Sequence, residues 1–334
     1  MKKLLLTALL AASSALVADT LHIYTARHYD ADSKLYDLFT QQTGIEVKAT
    51  QAKDTELIKK LEIEGDKTPA DVFITADVSN LNQAKELGLL ASTTSDKLNE
   101  LIPANLRDVD GTWYGFTKRA RIVAYDKTRT KNPKIKTYED LAKPEFKGKI
   151  LMRSATAAYS KTLLASIIAA DGEDSAKKWA KGVLLNLAQT PKGGDRDQAK
   201  AMVAGVGEYA VMNTYYVGLL LASSNPKDVA VGEKLGIIFP NQNGRGTHIN
   251  ISGAAVTKAS KNSENAVKFI EFLLSPAAQR ILADINYEYP VNKSVEPSPV
   301  IAAFGTFKED QTPLSQIAGD VKKAVLIYDE VGFR

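Results

Sequence analysis

The chain has 334 residues, 25% charged and 44% hydrophobic, an ordinary globular composition with ample length for two packed lobes. A leader containing Lys2 and Lys3, once removed, lowers the formal charge from +4 to +2, too weak a bias for nucleic acid or a membrane surface. There is no cysteine, which excludes disulfides, thiolate metal sites and a lipid-bearing cysteine behind the leader.

Met1-Lys2-Lys3, the apolar Leu4 to Ala12 and the small residues Ser13, Ser14, Ala15 and Ala18 read as a secretory signal peptide over residues 1–18. The apolar run is too short to span a bilayer, and no later stretch reaches transmembrane length. An exported chain without a lipidated cysteine points to the Gram-negative periplasm.

Leu21 to Tyr24 alternates as a first strand and runs into the polar turn Thr25-Ala26-Arg27-His28-Tyr29-Asp30. Asp30 or Asp32 then caps a helix whose Leu35, Leu38 and Phe39 share one face, and Thr43-Gly44 ends it. Ile45 to Ala49 reads as a second strand, Thr55 to Glu64 as a helix, and Asp71 to Thr75 as a buried third strand. A short helix follows over Asn80 to Leu87. This β-α-β-α-β order predicts a parallel sheet with right-handed crossovers.

Two long extended runs come next, one from Trp113 to Tyr125 and one from His248 to Val256. A second α/β pattern lies between them. It has a strand at Gly148 to Met152, helices over Ala157–Ala169, Asp174–Leu187 and Asp195–Ala204, and a strand-to-helix turn at Asn213-Thr214-Tyr215-Tyr216. After Val256, helices over Asn262–Leu274 and Ser275–Ala283 look like a return to the first unit. The expected fold class is therefore α/β with two lobes joined by two crossing strands. The first lobe takes 19–118 plus 254–290, and the second 119–253 plus 291–334. Hinge strands fall near 115–125 and 248–256.

Tyr215 and Tyr216 become informative through what meets them. His28-Tyr29 and Ser154-Ala155-Thr156-Ala157-Ala158-Tyr159 also sit at carboxyl ends of predicted parallel strands, which face one cleft in such a design. One histidine and four tyrosines make a hard, oxygen-rich donor set. A phenol has an ordinary pKa near 10, so its anion needs a strongly polarising cation, and ferric iron is such a cation. Zinc more often shows cysteine or several histidines, and calcium a carboxylate cluster. Ser154, Thr156, Arg27 and Arg121 are candidates for holding an accompanying carbonate or phosphate. His22 reads as a sheet residue, His248 as structural, and Asp195 and Asp197 as helix caps and solvated first-turn charges.

With these residues in hand, the chain resembles the periplasmic ferric-ion-binding proteins of bacterial iron ABC transporters. The likeness rests on Arg27-His28-Tyr29-Asp30, on Pro69 to Asp77, on Asn213-Thr214-Tyr215-Tyr216-Val217-Gly218 and on Ile249 to Val256. It implies a two-lobed periplasmic binding fold that holds Fe3+ between its lobes and delivers it to an inner-membrane permease with its ATPase. By motif position it implies His28, Tyr29, Tyr159, Tyr215 and Tyr216 as ligands, in the tyrosine-rich branch that lacks a carboxylate ligand. The protein is expected to be a monomer. A binding protein for an oxyanion or small organic solute on the same fold is the alternative. An enzyme is not expected, since no Gly-x-Ser-x-Gly elbow, His-Glu-x-x-His motif or cysteine nucleophile occurs.

Overall fold

The structure, a computed structural model, describes residues 19–334. The signal peptide expected over 1–18 lies outside the described residues. The first unit runs β1 (Thr20–Thr25), α1 (Asp30–Thr43), β2 (Glu46–Gln51), α2 (Asp54–Glu64), β3 (Val72–Thr75), α3 (Val78–Glu86) and α4 (Asp96–Leu101). The long β4 (Tyr114–Asp126) leads to β5 (Ile150–Leu151), α5 (Ala158–Asp171), α6 (Glu173–Asn186), α7 (Asp195–Val203), β6 (Tyr209–Asn213), α8 (Thr214–Leu221), α9 (Pro226–Lys234) and β7 (Leu235–Ile238). Then come β8 (Ile249–Val256), α10 (Ser263–Leu273), α11 (Pro276–Asn286), β9 (Tyr289–Pro290), α12 (Pro299–Ala302), α13 (Leu314–Gly319) and α14 (Val321–Val331).

The strands form one path, β2-β1-β3-β8-β4-β6-β5, with β7 and β9 also pairing β4. β1 pairs parallel with β2 and β3, and β5 pairs parallel with β6. β8 runs antiparallel to both β3 and β4, and β4 antiparallel to β6. β4 and β8 are thus the two strands that pass from the first α/β unit to the second. Both are buried along nearly their whole length, and the polar Thr117, Arg119, Arg121, Asn250 and Ser252 are buried with them.

Local chemistry sets the element ends. Gly44 ends α1 with φ 75, a left-handed cap that a side chain would resist. Asp77 accepts from the Ser79 amide at 2.8 Å, so α3 starts at Val78, two residues before the expected Asn80. Ser275 caps α11 with Pro276 in the first turn, as its sequence signal indicates. The tail is less local than its sequence suggests: α14 lies on α5 and α6, while α13 touches both α5 and α3. Leu21, Ile23, Phe39 and Phe73 are fully or almost fully buried under the first sheet. Each such side chain contributes about 1.5–3 kcal/mol.

Candidate metal centre

Three strand ends deliver the candidate residues. After β1 the chain turns through Ala26 and Arg27, held by Ala26 N–H donating to the Ile74 carbonyl at 3.0 Å and Gln51 Nε2 donating to the Arg27 carbonyl at 2.6 Å. His28 is exposed, and Tyr29 follows with its ring stacked on it at 5.0 Å between centroids. After β5, Tyr159 lies in the first turn of α5, 8% exposed. After β6, Tyr215 and Tyr216 open α8, and Tyr215 is completely buried. Asn213 and Thr214 fix that turn. Asp195 accepts the Asn213 amide at 2.8 Å, and Thr214 Oγ1 accepts the Ala120 amide at 3.2 Å.

The phenols converge. Tyr215 Oη lies 3.2 Å from Tyr29 Oη and 3.2 Å from Tyr159 Oη, and the Tyr215 and Tyr216 rings pack at a 31° tilt with centroids 4.1 Å apart. Two oxygen ligands set at right angles on a small hard cation with bonds of about 2.1 Å stand about 3.0 Å apart. The hydroxyl spacing therefore matches the edge of one coordination sphere. His28, Tyr29 and Tyr216 line a cleft of ≈ 250 Å³. A larger cavity of ≈ 900 Å³ between Trp179 and Arg245 shares no residue with the cluster. Among the described residues no group of three or more His, Asp, Glu or Cys is disposed to hold a metal.

Electrostatics set the terms. Burial pushes the Tyr29, Tyr215 and Tyr216 phenols up, and charge on Tyr159 would push each of them further. For Tyr29 and Tyr215, positive side chains act in the opposite sense: Arg27 and Arg119 on Tyr29, Arg119 on Tyr215. Four guanidinium groups face the rings. Arg27 is 4.8 Å from the Tyr29 centroid, Arg119 5.8 Å from Tyr215, and Arg121 and Arg153 5.7 and 5.4 Å from Tyr159.

Buried charges need partners. Arg27 donates through Nε to Asp32 at 2.9 Å and through Nη1 to Glu288 at 3.1 Å. Arg119 donates to the Ala76 carbonyl at 2.6 Å and lies 3.8 Å from Glu288. Burial alone would raise the Glu288 carboxyl, yet Arg27 and Arg119 hold it below its ordinary value. Arg121 pairs with Asp195 at 2.5 Å. Asp195 is therefore a buried counter-ion and not a solvated first-turn charge, because the pairing of Arg121 in β4 with Asn213 in β6 brings Arg121 against it. Asp197 does cap its helix, accepting the Gly194 amide at 2.7 Å.

The four anion candidates fare differently. Arg27 is committed to Asp32, Glu288 and Ser252, with only Nη2 lacking a partner. Arg121 keeps Nε and Nη2 without partners, as do the nearby Arg153 Nε and Asn213 Nδ2. Ser154 and Thr156 bond each other at 2.8 Å near the surface. His248 is buried beside Arg121 and Arg245 and takes no part in the phenol cluster; burial first, then those charges, drive its pKa down to about 3. Sequence reasoning missed Arg119, Arg153, Glu288 and Ser252. The signal for Arg119 was present, since Arg119-x-Arg121 sits in a strand whose other positions are mostly apolar.

Set beside known proteins, residues 67–303 match the family described as bacterial extracellular solute-binding protein. The chain is 63% identical to a ferric binding protein from Campylobacter jejuni, covering 94% of this chain and 100% of that one with a TM-score of 0.90. It is 45% identical to the Trichodesmium protein IdiA (FutA) solved with iron and citrate ligands, covering 94% of this chain and 100% of that one, with a TM-score of 0.91. Iron uptake protein A1 of Synechocystis sp. is 43% identical over 324 residues, 95% of this chain and 90% of its own. The chain belongs to the bacterial extracellular solute-binding proteins, in the branch of the ferric-ion-binding proteins. It has their two-lobed α/β fold, and the branch consists of binding proteins for transport, not of enzymes.

Proposed function

We propose that this chain is a periplasmic receptor that captures Fe3+ through Tyr29, Tyr159, Tyr215, Tyr216 and His28 and hands it to an inner-membrane ABC permease and its ATPase. The observation that carries the reading is the meeting of three phenols from three strand ends, Tyr29, Tyr159 and Tyr215, at hydroxyl separations of 3.2 Å, with the Tyr216 ring packed beside Tyr215. Charge supports it as well. The four arginines facing the rings are opposed by Asp32, Glu288 and Asp195, which leaves one net positive charge in the surrounding shell. Four phenolates around a trivalent ion leave one negative charge. Loaded site and shell together are neutral, a condition a divalent ion would not meet.

The two lobes in this reading take 19–118 plus 254–290 and 119–253 plus 291–334, hinged at the crossing strands near 115–125 and 248–256. His28 and Tyr29 come from the first, and the other three tyrosines from the second. Iron loads the second lobe and recruits His28 and Tyr29 on closure. The receptor works as a monomer after losing residues 1–18. A carbonate or phosphate would find donors in Arg121, Arg153 and Asn213 better than in Arg27.

The test is the visible spectrum of the purified mature protein before and after ferric citrate. A phenolate-to-iron charge-transfer band should appear, and Tyr215→Phe and Tyr216→Phe should each abolish or strongly shift it. An unchanged band in both variants would overturn the ligand assignment. A colourless protein that binds an oxyanion or small solute tightly would favour the alternative.

A further inference from the structure

Gly218 stands two residues after Tyr216, on the same helix. A Cβ built there would lie 2.4 Å from Tyr287 Cγ and 2.5 Å from Tyr287 Cβ. Packed carbons approach to about 3.5–4.0 Å, so no side chain fits that position without moving Tyr287. The intruding residue is itself unusual. Tyr287 ends α11 with φ 57 and ψ 30, a left-handed conformation that glycine or asparagine normally takes. A bulky aromatic residue persists there only where its surroundings over-determine it.

Those surroundings are the phenol site. The next residue, Glu288, is the counter-ion of Arg27 and Arg119. The two preceding residues, Ile285 and Asn286, line the cleft that His28, Tyr29 and Tyr216 share. The helix α11 packs on α1, which carries the His28–Tyr29 turn, while α8 packs on α7 and α9. The ring of Tyr287 therefore reaches from the side that bears Tyr29 into a notch on the helix that bears Tyr215 and Tyr216.

We infer that Tyr287 is a positioning residue that grips α8 through the side-chain-free notch at Gly218, and that this grip sets how slowly bound iron leaves. The inference rests on the ferric reading above. It gives the glycine of the Tyr215-Tyr216-Val217-Gly218 motif a job distinct from that of the tyrosines. Gly218 makes no bond to the ion; it admits the residue that keeps the two sides of the cluster together.

The experiment loads the mature protein with ferric citrate and follows decay of the visible band under excess EDTA. Gly218→Ala should release iron about tenfold faster or more, since an added methyl group in a filled contact commonly costs enough for that factor. The position of the band should not change, because the ligands are intact. Tyr287→Gly, which relaxes the backbone and removes the ring, should also speed release. The double variant should release no faster than Tyr287→Gly alone, because the new methyl group then meets nothing. Wild-type release from Gly218→Ala, or additive losses in the double variant, would overturn the inference. Should Gly218→Ala fail to fold by circular dichroism, Tyr287→Asn, which keeps the left-handed conformation without the ring, decides the matter by the same decay. If wild-type protein gives no ferric band, the ferric reading fails and this inference falls with it. A coloured wild type with unaltered variants sinks the grip alone.

Discussion

Proton release on loading offers the sharpest quantitative check. An ordinary phenol keeps its proton at neutral pH, and burial with like-charged neighbours pushes Tyr29, Tyr215 and Tyr216 further up. Each phenol that becomes a ligand must therefore surrender a proton to the medium. With four phenols in the cluster, apparent affinity should fall by up to about four decades for each unit of acidification, about 5.4 kcal/mol. Loading should be measured at pH 8 with a chromophoric pH indicator in weakly buffered solution, after subtracting the proton balance of ferric citrate itself. We expect close to four protons per iron, and one fewer in Tyr29→Phe. Release of one proton or none would refute the idea that the phenols bind as anions.

Three further outcomes follow from the same geometry. His28 is exposed and stacks only on the half-buried Tyr29, so His28→Ala should leave stability nearly unchanged, within about 0.5 kcal/mol, yet speed iron loss to EDTA. Arg119→Met removes a buried charge from between Glu288 and Tyr215. It should destabilise the metal-free protein in urea by less than the roughly 3–5 kcal/mol of a fully broken buried pair, because Arg27 still faces Glu288, and weaken iron retention as well. Metal-free protein should also lose stability in alkali. The unfolded chain sheds phenol protons from about pH 10, while the folded chain holds those of Tyr29, Tyr215 and Tyr216 to higher pH. Stability from this source is complete below pH 10 and declines as pH rises. Urea midpoints between pH 8 and 11 read it, and Tyr215→Phe should flatten the decline.

Much of the fold was legible because its signals are local. Val72 to Ile74 is continuously apolar, Gly44 closes α1, and Ser275-Pro276 opens α11, each readable within a few residues. β7, β9, α4 and α9 were not read, since β9 has two residues and none of them carries a strong period. The phenols were found because each follows a strand end. Their electrostatic support was hidden for a different reason. Glu288 meets Arg27 from 261 positions away, and nothing near Glu288 in the chain announces that meeting. Asp195 looked solvated because helix first turns usually are; only the register of β4 against β6 brings Arg121 onto it. Tyr287 carried no signal, because a left-handed tyrosine is specified by tertiary contacts and not by its neighbours in sequence.

Diffraction from crystals of the ferric-loaded protein at the iron absorption edge tests the central claim most directly. One anomalous peak should lie within bonding distance of the Tyr29, Tyr159, Tyr215 and Tyr216 oxygens, with the His28 imidazole turned onto it. An iron peak elsewhere on the chain, with the Tyr29, Tyr159 and Tyr215 hydroxyls still bonded to one another, would contradict it.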